Sequence, residues 1–139
     1  MATRSLIGIK NSNPHLPGEI DYIYCHWDGY PSHNGKILME NYTSYPQVMQ
    51  LIELGDISSL GKEIGEQQDF NNVVNPDWCL AYHRDRGDEL VDDRYAESED
   101  EFRTVGYGSE YKYLFKNRKW YYAKGDAPFV ELTAEICDG

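Results

Sequence analysis

Two kinds of apolar spacing mark this chain as α+β. Aromatic and β-branched residues recur with a period of two near both ends, at 20–27 and 110–123. Between them, Val48, Leu51 and Ile52 fall at the i, i+3, i+4 spacing of a helix. Breaker-rich stretches at 11–18 and 61–76 separate these segments. The expectation is a short-stranded antiparallel sheet, with two short helices inserted between strands 2 and 3. At 139 residues the chain suits a single domain, 1–139, with a core that needs no metal or disulfide.

The first strand is expected around Leu6, Ile7 and Ile9, and the second over 20–27. The Asn, Pro and Gly residues of 11–18 would join them as a hairpin. In strand 2 the period of two puts Ile23, Cys25 and Trp27 on one face, and Tyr22, Tyr24, His26 and Asp28 on the other. Asp28 and Gly29 begin a turn. Residues 36–42 form the first helix. Ser44 is the N-cap of the second, with Pro46 in its first turn and Gly55 at its C-terminal end. Asp56 would cap a further turn through Ile57 and Leu60, followed by a loop over 61–76. Residues 78–83 read as strand 3, and 98–102 as a short helix. Residues 110–115 and 119–123 make a hairpin joined at Asn117 and Arg118, although the usual glycine is absent. There, Lys112 and Lys116 alternate with Tyr111, Tyr113 and Phe115 as the wet face. Residues 129–132 close the sheet, and 133–137 form a final turn.

The formal charge is -11 and twelve residues are Tyr. Such a charge argues against direct binding to a nucleic-acid backbone, which needs cationic contacts. It favours attraction to basic protein surfaces. From Asp85 to Glu101 there are nine acids against two arginines, whereas 112–124 is basic. Three cysteines without a CxxC spacing read as free thiols in a reducing compartment. No window suits a membrane span, and residues 1–8 hold no apolar run long enough for a signal peptide. A cytoplasmic protein is expected.

Two polar-aromatic runs are the candidate ligand pocket. One contains His26, Trp27, Asp28 and Tyr30, and the other contains His83, Arg84 and Arg86. Asp28 would orient His26 for acid-base work. Arg84 and Arg86, which flank Asp85, would clamp a phosphate or carboxylate, unless they form an internal Arg–Asp network. His26 and His33 fit no zinc spacing, so no metal is expected. Cys25 and His26 are adjacent strand residues pointing to opposite faces, so they make no nucleophilic dyad. There is no P-loop, GxGxxG, GxSxG or HExxH, and no cofactor is expected. The acidic residues Asp88, Glu89, Asp92, Asp93, Glu97, Glu99, Asp100 and Glu101 are the candidate partner surface. They would imitate nucleic-acid phosphates towards a cationic groove, unless they are a solvated loop.

The runs Tyr24-Cys25-His26-Trp27-Asp28-Gly29-Tyr30-Pro31, Leu54-Gly55-Asp56-Ile57-Ser58-Ser59-Leu60 and Tyr82-His83-Arg84-Asp85-Arg86-Gly87 resemble those of short accessory proteins encoded by tailed phages and prophages. The resemblance spans Ile7 to Trp120 and carries over no catalytic residue. It implies a context in which small proteins block host processes, including restriction and CRISPR immunity. The leading expectation is therefore a non-enzymatic inhibitor of a host nucleic-acid-handling defence protein, acting by acidic complementarity. The alternatives are a sponge that sequesters a small nucleotide signal in the Arg/aromatic pocket, and a small enzyme using His26 or His83. Self-association is left open.

Overall fold

Leu6, Ile7 and Ile9 are almost completely buried, so the first strand, β1 (Ser5–Lys10), has core on both sides. The computed structural model describes residues 3–10, 20–90, 94–105 and 109–138. β1 pairs antiparallel with β2 (Ile20–Cys25), as the hairpin reading expected. A π-helical turn (Pro31–Gly35) leads into α1 (Lys36–Asn41) and α2 (Tyr45–Glu53). Ser44 caps α2 reciprocally. Its side chain accepts from the Gln47 N–H, and the Gln47 side chain accepts from the Ser44 N–H. The chain then forms β3 (Ile57–Ser59), β4 (Leu80–Ala81), α3 (Tyr82–Arg86), β5 (Tyr95–Ala96) and α4 (Glu99–Thr104). It ends with β6 (Tyr111–Lys116), β7 (Lys119–Lys124), β8 (Val130–Glu131) and α5 (Ala134–Asp138).

The architecture is α+β around one mixed sheet, in the order β4-β3-β2-β1-β6-β7-β8, with β5 also on β2. The sheet is mostly antiparallel, but β1/β6 and β2/β3 pair in parallel. The reason is the connections. β2 reaches β3 through α1 and α2, and β1 is followed by β6 only after α4, so neither return is a tight hairpin. The sheet is buried on both faces. One face carries Ile7, Ile9, Ile23, Cys25, Tyr113, Phe115 and Trp120, packed against Leu38, Val48, Leu51 and Cys137 from the helices. The other carries Leu6, Ile20, Tyr22 and Leu114, covered by Phe102 of α4 and Ala96 of β5.

That second core corrects the reading of Lys112 as wet. Lys112 is 1% exposed. Its ammonium donates to the carbonyls of Arg103 and Gly125 (the latter at 3.3 Å) and lies 3.7 Å from Asp126. Burial pushes its pKa down, against an opposing pull from Asp126. The strand expected over 78–83 is also shorter. Only Leu80 and Ala81 form a strand, with Trp78 held in a lone parallel bridge to Glu63, and Tyr82 and His83 begin α3, which ends on the left-handed Gly87. The Asp85 carboxylate causes the switch by accepting from the Ala81 N–H at the helix start, at 2.7 Å. Asp56 caps no turn, because Ile57 onward is strand. Trp27 follows β2 but is 43% exposed and is not core. The hairpin turn does form at Asn117 and Arg118, both left-handed, with φ of 53° and 62°.

Candidate functional site

β2 has two partners on one edge. β3 pairs with its C-terminal end at Cys25, and β5 with its N-terminal end at Ile20 and Asp21. Between them the ladder has a gap, and Asp56 fills it. Its Oδ1 accepts the Tyr24 N–H at 2.9 Å, where a strand carbonyl would otherwise sit. The same carboxylate takes the Arg94 guanidinium in a two-pronged contact, with Nη2 at 2.9 Å and Nε at 3.2 Å. Arg94 in turn accepts the Tyr22 N–H on its carbonyl. The pair thus fastens β3 and β5 to the same strand.

Two clefts open on either side of this pair. The first, of about 280 Å³, lies between Tyr24, Tyr82, His83 and Arg86, with Asp88 and Glu89 at its rim. The second, of about 220 Å³, is bounded by Asp21, Ile52, Glu53 and Gly55. Both share Asp56, Leu90 and Arg94. Leu90 is 45% exposed and forms the ridge between them. It packs over Gly55 (φ +77°), where a β-carbon would come within 2.8 Å of its methyl. The walls hold five carboxylates, Asp21, Glu53, Asp56, Asp88 and Glu89, against two arginines.

The structure brings part of the expected pocket together. Arg86 and His83 line the first cleft, and they meet the other run through Tyr24, whose hydroxyl pairs with His26 Nδ1 at 2.8 Å. Trp27, Asp28 and Tyr30 do not line this cleft. Asp28 instead accepts the Tyr30 hydroxyl at 3.1 Å, so it does not orient His26. His26 meets Trp27 edge-on, at 4.8 Å between ring centres. Tyr30 lines a separate opening with Tyr111 and Tyr122. Tyr24, Asp56, Tyr82 and Arg94 line the clefts although none was among the expected pocket residues. Arg94 was legible only as one of two cations in an acidic run, and Asp56 only as a turn residue.

The Arg84/Arg86 clamp does not form. Arg84 turns inward, donating to the carbonyls of Ile64 and Cys79 at 2.7 Å each and to the Asp85 carboxylate at 3.0 Å. Arg86 points the other way. It lies 4.7 Å from the Tyr82 ring centre and 4.8 Å from that of Phe70, and is paired with Asp88 at 2.6 Å. Both guanidiniums are therefore engaged by their own aspartates. His83 is fixed too, its Nδ1–H donating to the Asp88 carbonyl at 2.6 Å. Cys25 is fully buried, and desolvation pushes its pKa up to about 12, so it stays a thiol. Burial likewise raises the Cys79 pKa. Among the described residues no group of three His, Cys, Asp or Glu is placed to hold a metal ion, and no helix is long and apolar enough to cross a membrane.

The expected acidic surface divides into several parts. Asp88 is held by Arg86. Glu99 sits between Lys10, at 3.7 Å, and Lys116. Glu101 turns back to accept the Glu97 N–H at 2.8 Å, and Ser98 caps α4 through the Glu101 N–H. Glu99, Asp100 and Glu101 fill the first turn of α4, where the helix dipole favours them. Glu89, Glu97 and Asp100 are exposed, while Asp92 and Asp93 lie outside the described residues. No protein-family model matches this chain, and no curated protein or solved structure matches it either.

Proposed function

We propose that the chain is a non-enzymatic binding protein that docks an acidic surface onto a basic, nucleic-acid-handling protein. On the resemblance to phage accessory proteins, that partner is a host defence protein of the restriction or CRISPR type, and the chain is its inhibitor. The observation that carries this reading is the pair of clefts on the β2 edge, with five carboxylates against two arginines. Both arginines are already paired, Arg94 with Asp56 and Arg86 with Asp88. Asp21, Glu53 and Glu89 are exposed at the same clefts and face a partner's lysines and arginines. Leu90 supplies an apolar ridge between the charged walls. Complementary charge of this kind speeds encounter and selects the partner. The reading centres on Asp88 and Glu89 and extends to Asp21 and Glu53. The acids of α4 contribute long-range field rather than the contact.

The test is affinity capture from host lysate, with the eluate identified by mass spectrometry. The wild-type chain is expected to retain a basic nucleic-acid-binding protein at low salt and release it above about 0.5 M salt, where charges are screened within a few ångströms. The triple reversal Asp21→Lys, Glu53→Lys, Glu89→Lys leaves the paired Asp56 and Asp88 intact and should capture none. Undiminished capture by that variant would refute the proposal.

A further inference from the structure

The acidic chain carries a basic cleft at the tip of the β6–β7 hairpin. The register that sets Ile9 beside Phe115 brings the ends of the parallel strands β1 and β6 together, and with them Lys10 and Lys116. Arg118 follows in the turn. These three cations line an opening of about 320 Å³ with Tyr45, Phe115 and Asn117. Tyr45 is the first residue of α2 and is 36% exposed. Among the described residues a single carboxylate serves these two lysines: Glu99 lies 3.7 Å from Lys10 and also contacts Lys116. Arg118 is exposed and makes no ion pair or hydrogen bond among the described residues. It is thus unlike Arg84, Arg86 and Arg94, each of which has an aspartate partner. It also holds a left-handed conformation, φ 62°, at the turn position where glycine is favoured.

We propose that this cleft binds a small phosphorylated organic anion with a planar ring, of the size of a nucleoside diphosphate. The Arg118 fork takes the terminal phosphate bidentately, as guanidinium geometry favours. Lys10 and Lys116 neutralise the remaining charge in exchange for part of their contact with Glu99. The exposed Tyr45 ring gives the ligand's planar group a surface to stack on. The volume lies at the lower end of the range for small-molecule sites, which suits a ligand of this size.

The experiment is isothermal titration calorimetry at low salt, with ADP and inorganic pyrophosphate as probes. One ADP per chain is expected, with pyrophosphate binding more weakly because it has no ring. Arg118→Ala should weaken ADP about tenfold or more, the loss typical of one charge-assisted bidentate contact. Arg118→Gly should do the same while suiting the turn's backbone, so a loss shared by both variants is not a folding failure. Tyr45→Ala should weaken ADP but leave pyrophosphate unchanged. Glu99→Gln, which removes the competing carboxylate, should tighten both probes. No detectable ADP binding up to about 1 mM would overturn the proposal. So would Arg118 variants that bind as the wild type does, weaker binding in Glu99→Gln, or pyrophosphate binding as tightly as ADP. The triple reversal at Asp21, Glu53 and Glu89 should leave ADP affinity unaltered, so this site and the acidic docking surface stand or fall separately.

Discussion

Asp85 is the point where removal of one small side chain should damage the fold most. Its side chain is fully buried. Oδ1 accepts from the Gln68 N–H at 2.9 Å and Arg84 Nε at 3.0 Å, and Oδ2 from the Ala81 N–H at 2.7 Å and Arg84 Nη2 at 3.2 Å. Asp85→Ala strips partners from two backbone N–H groups, each worth about 1–3 kcal/mol when left unpaired in the interior. It also leaves the Arg84 guanidinium, 17% exposed, with carbonyls alone. Breaking a buried pair from one side costs about 3–5 kcal/mol, and the two losses overlap, so the expected destabilisation is about 4 kcal/mol. For a domain of this size that is a fall in Tm of roughly 15 °C. Asp85→Asn keeps the shape but turns an amide donor towards donors, and should lose about 2 kcal/mol. There is also a pH signature. Burial alone would raise the Asp85 pKa, but hydrogen bonds from Arg84, Ala81 and Gln68 outweigh it and hold the carboxyl below its usual range. With the folded pKa below the unfolded value of about 3.9, the stabilisation is complete above that value. It is lost as pH falls through the folded pKa. Urea denaturation followed by circular dichroism at pH 7 and pH 3 reads both effects. The loss should be large at pH 7 and smaller at pH 3. A loss under about 1 kcal/mol in Asp85→Ala at pH 7 would show that the network is not what turns β4 into α3.

Asp56→Ala removes the acceptor of the Tyr24 N–H and the partner of Arg94; the Asp56 and Arg94 side chains are 14% and 18% exposed, and the loss should be about 3 kcal/mol by thermal melting. Hydrogen exchange should then accelerate first at Tyr22 and Tyr24, and uniform acceleration across the sheet would reject the view that Asp56 fills a local gap. Ser44→Ala breaks one half of the capping box and should cost about 1 kcal/mol, with Gln47→Ala costing less than that beyond it because the two contacts are reciprocal. Additive losses in the double variant would count against the reciprocal cap.

What local chemistry decides was legible in the sequence. Ser44 before an amphipathic stretch, the alternation through 110–123, and Ser98 before Glu99 each specify their element within a few residues, and each element formed. What a distant partner decides was not. Tyr82 and His83 carry strand-forming character, yet they are helical because Asp85 is drawn to Ala81 and to Gln68, seventeen positions away in sequence. Lys112 alternates like a wet residue, but α4 covers that face, and the carbonyls of Arg103 and Gly125 satisfy the ammonium. The site followed the same rule. His83, Arg86, Asp88 and Glu89 were visible as a dense run, whereas Asp56 and Arg94 acquire their place only because β3 and β5 share one edge of β2.

The arginines carry the wider lesson. Arg84, Arg86 and Arg94 lie within eleven positions of one another, and an Arg-rich run invites an anion site. Each instead has an aspartate at 2.6–3.0 Å: Asp85, Asp88 and Asp56. A charge so engaged is open to a ligand only if the ligand offers more than the existing partner does, and a bidentate carboxylate in a half-buried site is hard to better. Local pairing therefore cancels the cations of the motif and leaves Asp21, Glu53 and Glu89, whose carboxylates have no ion pair among the described residues, to set the sign of the clefts. At the hairpin tip the balance is reversed, because Glu99 is shared between two lysines and Arg118 has no acid at all among the described residues. The sign presented to a partner at each site follows from which charges remain unpaired after folding, and in this chain that is the opposite of what the density of arginine in the sequence suggests.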